Sequence, residues 1–333
     1  MVKPGISVHH VMCPTDFSES AASAFAESVR LARWFGARIT VLHVIPPALL
    51  TAVDMGYLPK SIDIGDAARK TQLDELRRFV DATDHLGVRV ESMCREGDPC
   101  TEIREATRRT GADLLVMGTH GRAGLEKLVL GSVTEAILTH PPVPVLTLRG
   151  PLPARKGLFE KVLCAADGSK WSAATIAFAI ELAEEGAEHL TVLSVVEDLP
   201  ETRAWARGHF AVQEVDAFRD DLERTALAGL QQLIPDEARV SCRIEEHIRF
   251  GKADREILSV AAEEHANLIV LGNRGRGAVD RILFGSTARR VVRGATCPVV
   301  VVPASHAWPA TALARQPSAE TIGVSRTFEG GRP

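Results

Sequence analysis

Three of the four glycines in the stretch MGTHGRAGLEKLVLGSVTEAIL at residues 117–138, Gly118, Gly121 and Gly131, follow a regular spacing, and the last is followed by a serine that precedes a helical pattern. A second stretch, LGNRGRGAVDRILFGSTARRVV at residues 271–292, has the same layout. Both read G-x2-G-x9-G-S, and both begin at the end of a short aliphatic run. A tight turn between a strand and a helix explains one G-x-x-G, but it does not explain why the nine-residue spacing is kept twice. The two stretches therefore predict a duplicated strand–loop–helix unit.

The repeat extends along nearly the whole chain. Asp16 and Asp167 are 151 residues apart, and so are Val44 and Val195. An offset of 154 relates a later set of five residues to five others: Gly97, Gly118, Gly121, Gly131 and Pro144 to Gly251, Gly272, Gly275, Gly285 and Pro298. The three additional residues of the second unit must therefore lie between Val195 and Gly251.

These offsets define the domains that we expect. A first domain covers residues 1–150 and a second covers 151–305, joined by the linker GPLPARKG at residues 150–157. Each unit has a dissimilar segment after its second strand, PPALLTAVDMGYLPKSIDIG or EDLPETRAWARGHFAVQEVD, which we interpret as a variable loop leading into a helix. Residues 306–333 lose all periodicity and are rich in Pro, Gly, Ser and Thr, so they are expected to form a flexible tail.

Each unit alternates Val-, Ile- and Leu-rich runs with amphipathic helical patterns, which is typical of β-α-β units. The fold class predicted is α/β, with two tandem Rossmann-like open parallel five-stranded sheets that carry helices on both faces. The first helix illustrates the local logic, because Ser18 or Ser20 can cap its start and Gly36 suits the position after its end. The strands of the first unit are expected near 8–13, 38–45, 88–93, 113–117 and 143–148.

The glycine loops predict a phosphate site in each unit. The first two glycines allow positive φ or a close approach of the backbone to a ligand. The Gly-Ser pair then falls at a helix start, where free N–H groups, a hydroxyl and the helix dipole favour an anion. Arg122 or Arg276, directly after the second glycine, can add a charge-assisted contact.

Composition limits the other function classes. The chain has 333 residues, of which 45% are hydrophobic and 25% are charged, and its net charge of −4 gives no global attraction to nucleic acid or to an anionic membrane. The start MVKPGISVHH lacks the apolar segment of a signal peptide, and no apolar run is long enough to span a bilayer, so we expect a cytoplasmic protein. The six cysteines form no C-x-x-C pair and are expected to be buried free thiols, and no histidine falls in a metal-ligand spacing.

At this point the sequence resembles a known family. PTDFSESA, VLHVI, EGDPCTEI and the long glycine stretch, with their counterparts in the second unit, are similar to the universal stress protein family in its tandem two-domain form. The resemblance covers about residues 8–149 and 160–303, and it implies the ATP-binding branch, which G-x2-G-x9-G-S marks in that family. It implies that Asp16 and Asp167 contact ribose or adenine and that Val44 and Val195 meet adenine through their backbone. The residues implied to surround ribose and phosphates are Gly118, Gly121, Arg122, Gly131, Ser132 and Val133 in the first unit and Gly272, Gly275, Arg276, Gly285, Ser286 and Thr287 in the second.

The two sites differ in sequence, and more than one function is consistent with them. Arg274 replaces His120, and Asp280 replaces Glu126, in the second unit. The chain has no P-loop motif and no G-x-S-x-G nucleophile motif, which favours a nucleotide-dependent stress-response or regulatory module without catalytic residues. A slow ATPase or a nucleotidyl-transferring enzyme of the same fold is the second hypothesis, and an ATP-independent scaffold is a third. Mg²⁺ would reach the site through the ATP phosphates, with no metal ligand from the protein.

The last strand of each unit, PVPVLTLR and CPVVVVP, is apolar along its length. If these strands lie at sheet edges, as the resemblance implies, their unpaired backbone groups invite pairing with another strand. We therefore expect an intramolecular pseudo-dimer in which strand 143–148 meets strand 298–302. The remaining surface leaves open a homodimer of tandem chains.

Overall fold

The fold is taken from a computed structural model of the chain, which describes residues 8–46, 64–121, 130–152, 157, 159–169, 171–187, 189–197, 212–275 and 284–304. Most of both variable loops, the tail and the segments after Gly121 and Gly275 lie outside the described residues, and so do Arg122, Glu126, Arg276 and Asp280. Ten strands and nine helices are found in the described part.

The first unit contains five strands and four helices. Its strands are β1 (His10–Thr15), β2 (Arg38–Ile45), β3 (Val90–Glu96), β4 (Leu114–Gly118) and β5 (Val145–Leu148). Its helices are α1 (Glu19–Phe35), α2 (Ile64–Asp81), α3 (Pro99–Thr110) and α4 (Ser132–Thr139). All five predicted strands are present, with ends that differ from the predicted ones by up to three residues.

The second unit repeats this order with one short additional helix. Its strands are β6 (Lys161–Ala165), β7 (His189–Val196), β8 (Ile244–Phe250), β9 (Leu268–Gly272) and β10 (Val299–Val302). Its helices are α5 (Ser172–Glu184), α6 (Val212–Leu233), α7 (Asp236–Ser241), α8 (Ala253–Glu263) and α9 (Ser286–Gly294). The short helix α7 lies between Val195 and Gly251, the interval to which the sequence assigns the additional residues.

Local signals explain where the helices begin and end. Ser18 caps α1 by accepting a hydrogen bond from the Ala21 N–H, and Gly36 ends the helix in the left-handed conformation with φ 68°. Asp98 caps α3 by accepting from the Thr101 N–H, with Pro99 in the first helical turn. The predicted start and stop of α1 are therefore confirmed.

All ten strands form one sheet in the order β3-β2-β1-β4-β5-β10-β9-β6-β7-β8. Neighbours within each unit are parallel, whereas β5 and β10 are antiparallel, with Leu146 opposite Val300. The α/β fold class is confirmed, and the two predicted five-stranded sheets join edge to edge. The predicted contact between the two fifth strands is confirmed by this register, which also places the carboxyl ends of the two units' strands at opposite edges of the sheet.

The core has two layers, one on each face of the sheet. Alternate residues of a strand enter different layers, as Val11 and Met12 of β1 do. Each layer contains side chains from both units, such as Phe25 with Phe178 in one layer and Leu115 with Val299 in the other. Because the strands that meet at the junction are buried on both faces, the two units share one hydrophobic core.

Candidate functional site

A cavity of about 630 Å³ lies at the carboxyl ends of the central strands of the second unit. This is the edge at which open α/β sheets bind ligands. The cavity wall includes seven of the eight site residues predicted for this unit: Asp167, Val195, Gly272, Gly275, Gly285, Ser286 and Thr287. The eighth, Arg276, lies outside the described residues.

Asp167 ties the loop after β6 to the loop after β9. Its Oδ1 accepts hydrogen bonds from the Ser169 N–H at 3.0 Å and from the Ser172 hydroxyl at 2.8 Å. A Cβ built on Gly275 would lie 2.7 Å from Asp167 Oδ2, closer than atoms of this kind approach in proteins. Glycine is therefore required at position 275 so that the carboxylate can lie against the loop.

Gly285 is a different case. It caps α9 with φ −54° and ψ 136°, a conformation that any residue can adopt. A Cβ there would come no closer than 3.6 Å to the Asn273 carbonyl oxygen. Neither the backbone conformation nor the packing of the described residues requires a glycine here. The position borders the cavity at the N–H groups of the first turn of α9.

The first unit repeats this geometry. Asp16 Oδ1 accepts from the Ser18 N–H at 3.0 Å, and a Cβ on Gly121 would lie 2.7 Å from Asp16 Oδ2. Gly131 caps α4 with φ −61° and ψ 139°, and its nearest Cβ contact would be 3.5 Å from the Thr119 carbonyl oxygen.

The other site residues predicted for the first unit occupy corresponding places. Gly118 is the last residue of β4, and Val44 lies near the end of β2, as Val195 does in β7. Ser132 and Val133 open α4. Arg122 lies outside the described residues.

Sequence reasoning did not identify several residues of the cavity wall. Its apolar part is formed by Ala165, Leu193, Ile257, Leu271 and Phe284. Strand alternation places Leu193 on the same face as Val195, and this pattern could have indicated it. Alternation also places Glu197 there, at the position that Pro46 occupies in the first unit.

The charged residues of the cavity wall, within the described residues, are Asp167, Glu197 and Arg274. The guanidinium carbon of Arg274 lies 5.8 Å from the centroid of the Trp171 ring. Burial lowers the pKa of His140 below 6.5, and the charges of Arg104 and Arg274 lower it further. Arg274 therefore acts electrostatically on the end of α4, which belongs to the first unit.

The described ranges show no metal site, membrane-spanning helix or disulfide. No group of three or more His, Cys, Asp or Glu side chains there has the geometry of a metal site. None of the helices described is long and apolar enough to cross a membrane. All six cysteines are free thiols, as expected, but only Cys13 and Cys164 are buried and the other four are half-buried, which corrects the expectation of burial for those four.

The fold and the cavity define a tandem α/β protein that carries equivalent glycine-capped helices at the carboxyl edges of its two units. The chain belongs to the universal stress protein family, whose family model matches residues 7–149 and 158–303. The two matches correspond to the two units of the repeat.

Relatives support this membership over most of the chain. A universal stress protein of Mycolicibacterium smegmatis is 26% identical over 300 residues, covering 88% of this chain and 96% of the relative. The universal stress protein YxiE of Bacillus subtilis is 31% identical over 147 residues, covering 44% of this chain and 99% of its own length. A solved universal stress protein from Archaeoglobus fulgidus has a TM-score of 0.60 at 25% identity, covering 88% of this chain and 96% of that one.

Proposed function

We propose that each unit of this universal stress protein binds ATP at the carboxyl edge of its strands, and that bound nucleotide sets the conformation or association of a stress-response module. The observation that carries the proposal is the glycine at positions 131 and 285. A Cβ at either position would meet no close contact among the described residues, and the backbone there is not strained. A phosphate bound at the helix N-terminus would need the space that a side chain would fill, which explains a glycine at each position.

The cavity of the second unit matches a nucleotide in size and in the arrangement of apolar and polar residues along its wall. A volume of about 630 Å³ is within the range of small-molecule sites, which is roughly 300–1,000 Å³. Its apolar residues suit an adenine ring next to the backbone of Val195, and Asp167 Oδ2 can accept from ribose hydroxyls. Gly285, Ser286 and Thr287 then face the phosphates, and Mg²⁺ enters with them. We propose corresponding roles for Asp16, Val44, Gly131, Ser132 and Val133 in the first unit.

The domain limits form part of this proposal. Units 1–150 and 151–305 each contain one site, and the antiparallel β5–β10 pair holds them in one sheet. Because the strands of the two units run in opposite directions, the two sites lie at opposite edges.

Native mass spectrometry of freshly purified full-length protein tests the proposal. The expected result is a mass increase of two ATP molecules per chain, falling to one in Gly131→Val and to one in Gly285→Val. Titration calorimetry should show that each variant weakens one site at least ~10-fold, about 1.4 kcal/mol. A folded wild-type protein that binds no adenine nucleotide contradicts the proposal, and so does a folded variant with two unchanged sites.

A slow ATPase or a nucleotidyl-transferring enzyme is the second candidate function. The carboxylates of the described cavity wall are Asp167 and Glu197, and Asp167 Oδ1 is already engaged by Ser169 and Ser172. We therefore expect turnover far below the ~10 s⁻¹ that is typical of enzymes. Steady-state phosphate release near that rate, lost in Gly285→Val, would establish the enzyme instead.

A further inference from the structure

Arg274 distinguishes the second unit from the first. It lies between the first two glycines of the loop, it is half-buried, and it lines the cavity. Within the described residues no carboxylate forms an ion pair with it, whereas many other arginines there do so, such as Arg289 with Glu135. A half-buried guanidinium that no described carboxylate neutralises is well suited to receive an anionic ligand.

The residue that supports Arg274 differs between the units as well. Trp171 presents its ring to the guanidinium at 5.8 Å, within the range of a cation–π contact. The equivalent residue of the first unit is Ser20, whose hydroxyl lies 3.5 Å from the backbone nitrogen of His120. Both members of the contact are thus changed together, from Ser20 and His120 to Trp171 and Arg274.

The replacement of His120 by Arg274 affects anion binding because the other charged residues of the described cavity wall are carboxylates. Without Arg274, the charged residues of the described wall would be the carboxylates of Asp167 and Glu197, and a polyphosphate would be repelled. In the first unit the position of Glu197 holds Pro46, and His120 holds its Nδ1 2.8 Å from the Thr119 hydroxyl. Arg122 and Arg276 occur equivalently in both units, so they do not account for a difference between the sites.

We propose that Arg274, held on Trp171, makes the second unit selective for nucleoside polyphosphates, so that it prefers ATP over AMP more strongly than the first unit does. The inference rests on the proposed nucleotide binding. Arginine keeps its charge at any physiological pH and presents a fork of donors that spans two phosphate oxygens. The imidazole of His120 presents no such fork of donors, and its Nδ1 already lies 2.8 Å from the Thr119 hydroxyl.

The test compares ATP and AMP by titration calorimetry of the full-length protein at pH 8. Gly131→Val leaves the second site to be measured, and Gly285→Val leaves the first. We expect the ATP-to-AMP affinity ratio to be about tenfold higher at the second site than at the first. One additional charge-assisted contact to the polyphosphate gives a difference of about this size. Arg274→His in the Gly131→Val protein should lower the ratio to that of the first site.

The reciprocal variant and a control complete the design. His120→Arg in the Gly285→Val protein should raise the ratio, which keeps the inference testable if Arg274→His does not fold. Arg224→His removes an exposed charge from α6, outside the cavity wall, and should leave the ratio unchanged. If the protein binds nucleotide but neither Arg274→His nor His120→Arg alters the ratio, this inference alone is overturned. A wild-type protein that binds neither ATP nor AMP overturns the proposed function together with it.

Discussion

Glu135 and Arg289 occupy equivalent positions in the two units, and they form an ion pair with each other across the junction, at 2.6 Å. Each lies one helical turn beyond its capping glycine, because the Glu135 N–H donates to the Gly131 carbonyl and the Arg289 N–H to the Gly285 carbonyl, both at 2.9 Å. The pair therefore joins the two helices on which the proposed phosphate sites depend.

Reversing one charge of this pair should destabilise the junction modestly. The side chain of Arg289 is 46% exposed and that of Glu135 is 32% exposed, so solvent screens their attraction. We expect Arg289→Glu to lower the free energy of unfolding by about 1 kcal/mol, and Glu135→Arg with Arg289→Glu to recover most of it. Urea denaturation of the wild type, both single variants and the double variant measures this. A double variant as unstable as the sum of the singles would show that the two residues do not interact.

An engineered disulfide should report the register of the junction. Val145 lies directly opposite Val301, where antiparallel neighbours have Cα atoms about 4.5–5.5 Å apart, within disulfide reach. We expect Val145→Cys with Val301→Cys to crosslink under mild oxidation, as detected by peptide mass mapping. The matched control, Val145→Cys with Val299→Cys, is shifted by two residues and should crosslink poorly. Equal yields from both pairs would contradict the register.

Two glycines of the first unit should differ in how much stability a methyl group costs. A Cβ on Gly118 would lie 2.8 Å from the Ser20 carbonyl carbon, which is backbone and cannot easily move. We expect Gly118→Ala to cost about 1–3 kcal/mol of stability, as overpacking does. Gly131→Ala makes only ordinary contacts and should cost less than about 1 kcal/mol. Thermal and urea denaturation compare the two variants, and a larger loss for Gly131→Ala would refute the assignment.

His10 should make stability fall in mild acid. Its imidazole is buried, with Nδ1–H donating to the Thr110 carbonyl at 3.2 Å and Nε2 lying 2.8 Å from the Thr40 hydroxyl, which donates to it. Burial, with a smaller contribution from the charge of Arg38, lowers its pKa below 6.5. Because the unfolded chain then binds the proton more readily, this contribution is complete above pH 6.5 and is lost as pH falls from 6.5 towards the folded pKa.

The measurement is urea denaturation between pH 8 and pH 5. His10→Gln should lose less stability over this interval than the wild type, with a difference in slope of at most about 1.4 kcal/mol per pH unit. His140→Gln is the comparison variant: the pKa of His140 is lowered as well, by partial desolvation and by two arginines, but its side chain is exposed, so we expect a smaller effect on the pH profile. Identical pH profiles for His10→Gln and the wild type would exclude this role.

The buried thiols Cys13 and Cys164 occupy equivalent positions in β1 and β6 and should be unreactive. Burial raises the pKa of each to about 12, so almost no thiolate forms at pH 8. We expect a thiol reagent to label them only after unfolding, as peptide mass mapping would show. Labelling of Cys13 or Cys164 in the native protein as fast as labelling of Cys100 would contradict their burial.

Local signals in the sequence predicted much of the fold. Apolar runs marked all five strands of the first unit, and Ser18 and Gly36 marked the ends of its first helix, because capping and aliphatic periodicity act over a few residues. The internal repeat predicted the duplication. The contact of the two apolar fifth strands was predicted from the edge positions that the resemblance to the family implies. The positions of the site glycines were evident for the same reason, since they recur at a constant offset.

The sequence by itself thus determined the elements, the duplication and the glycines that the proposed sites need. Only the tertiary structure decided the register of Val145 against Val301, the contact of Gly275 with Asp167, and the place of Arg274 over Trp171 in the cavity wall. Each of these joins residues that come from different strands or loops, and in the third contact the two residues are 103 positions apart. Periodicity and capping carry no information at that separation, because such contacts form only when the packing of the shared core brings the loops together.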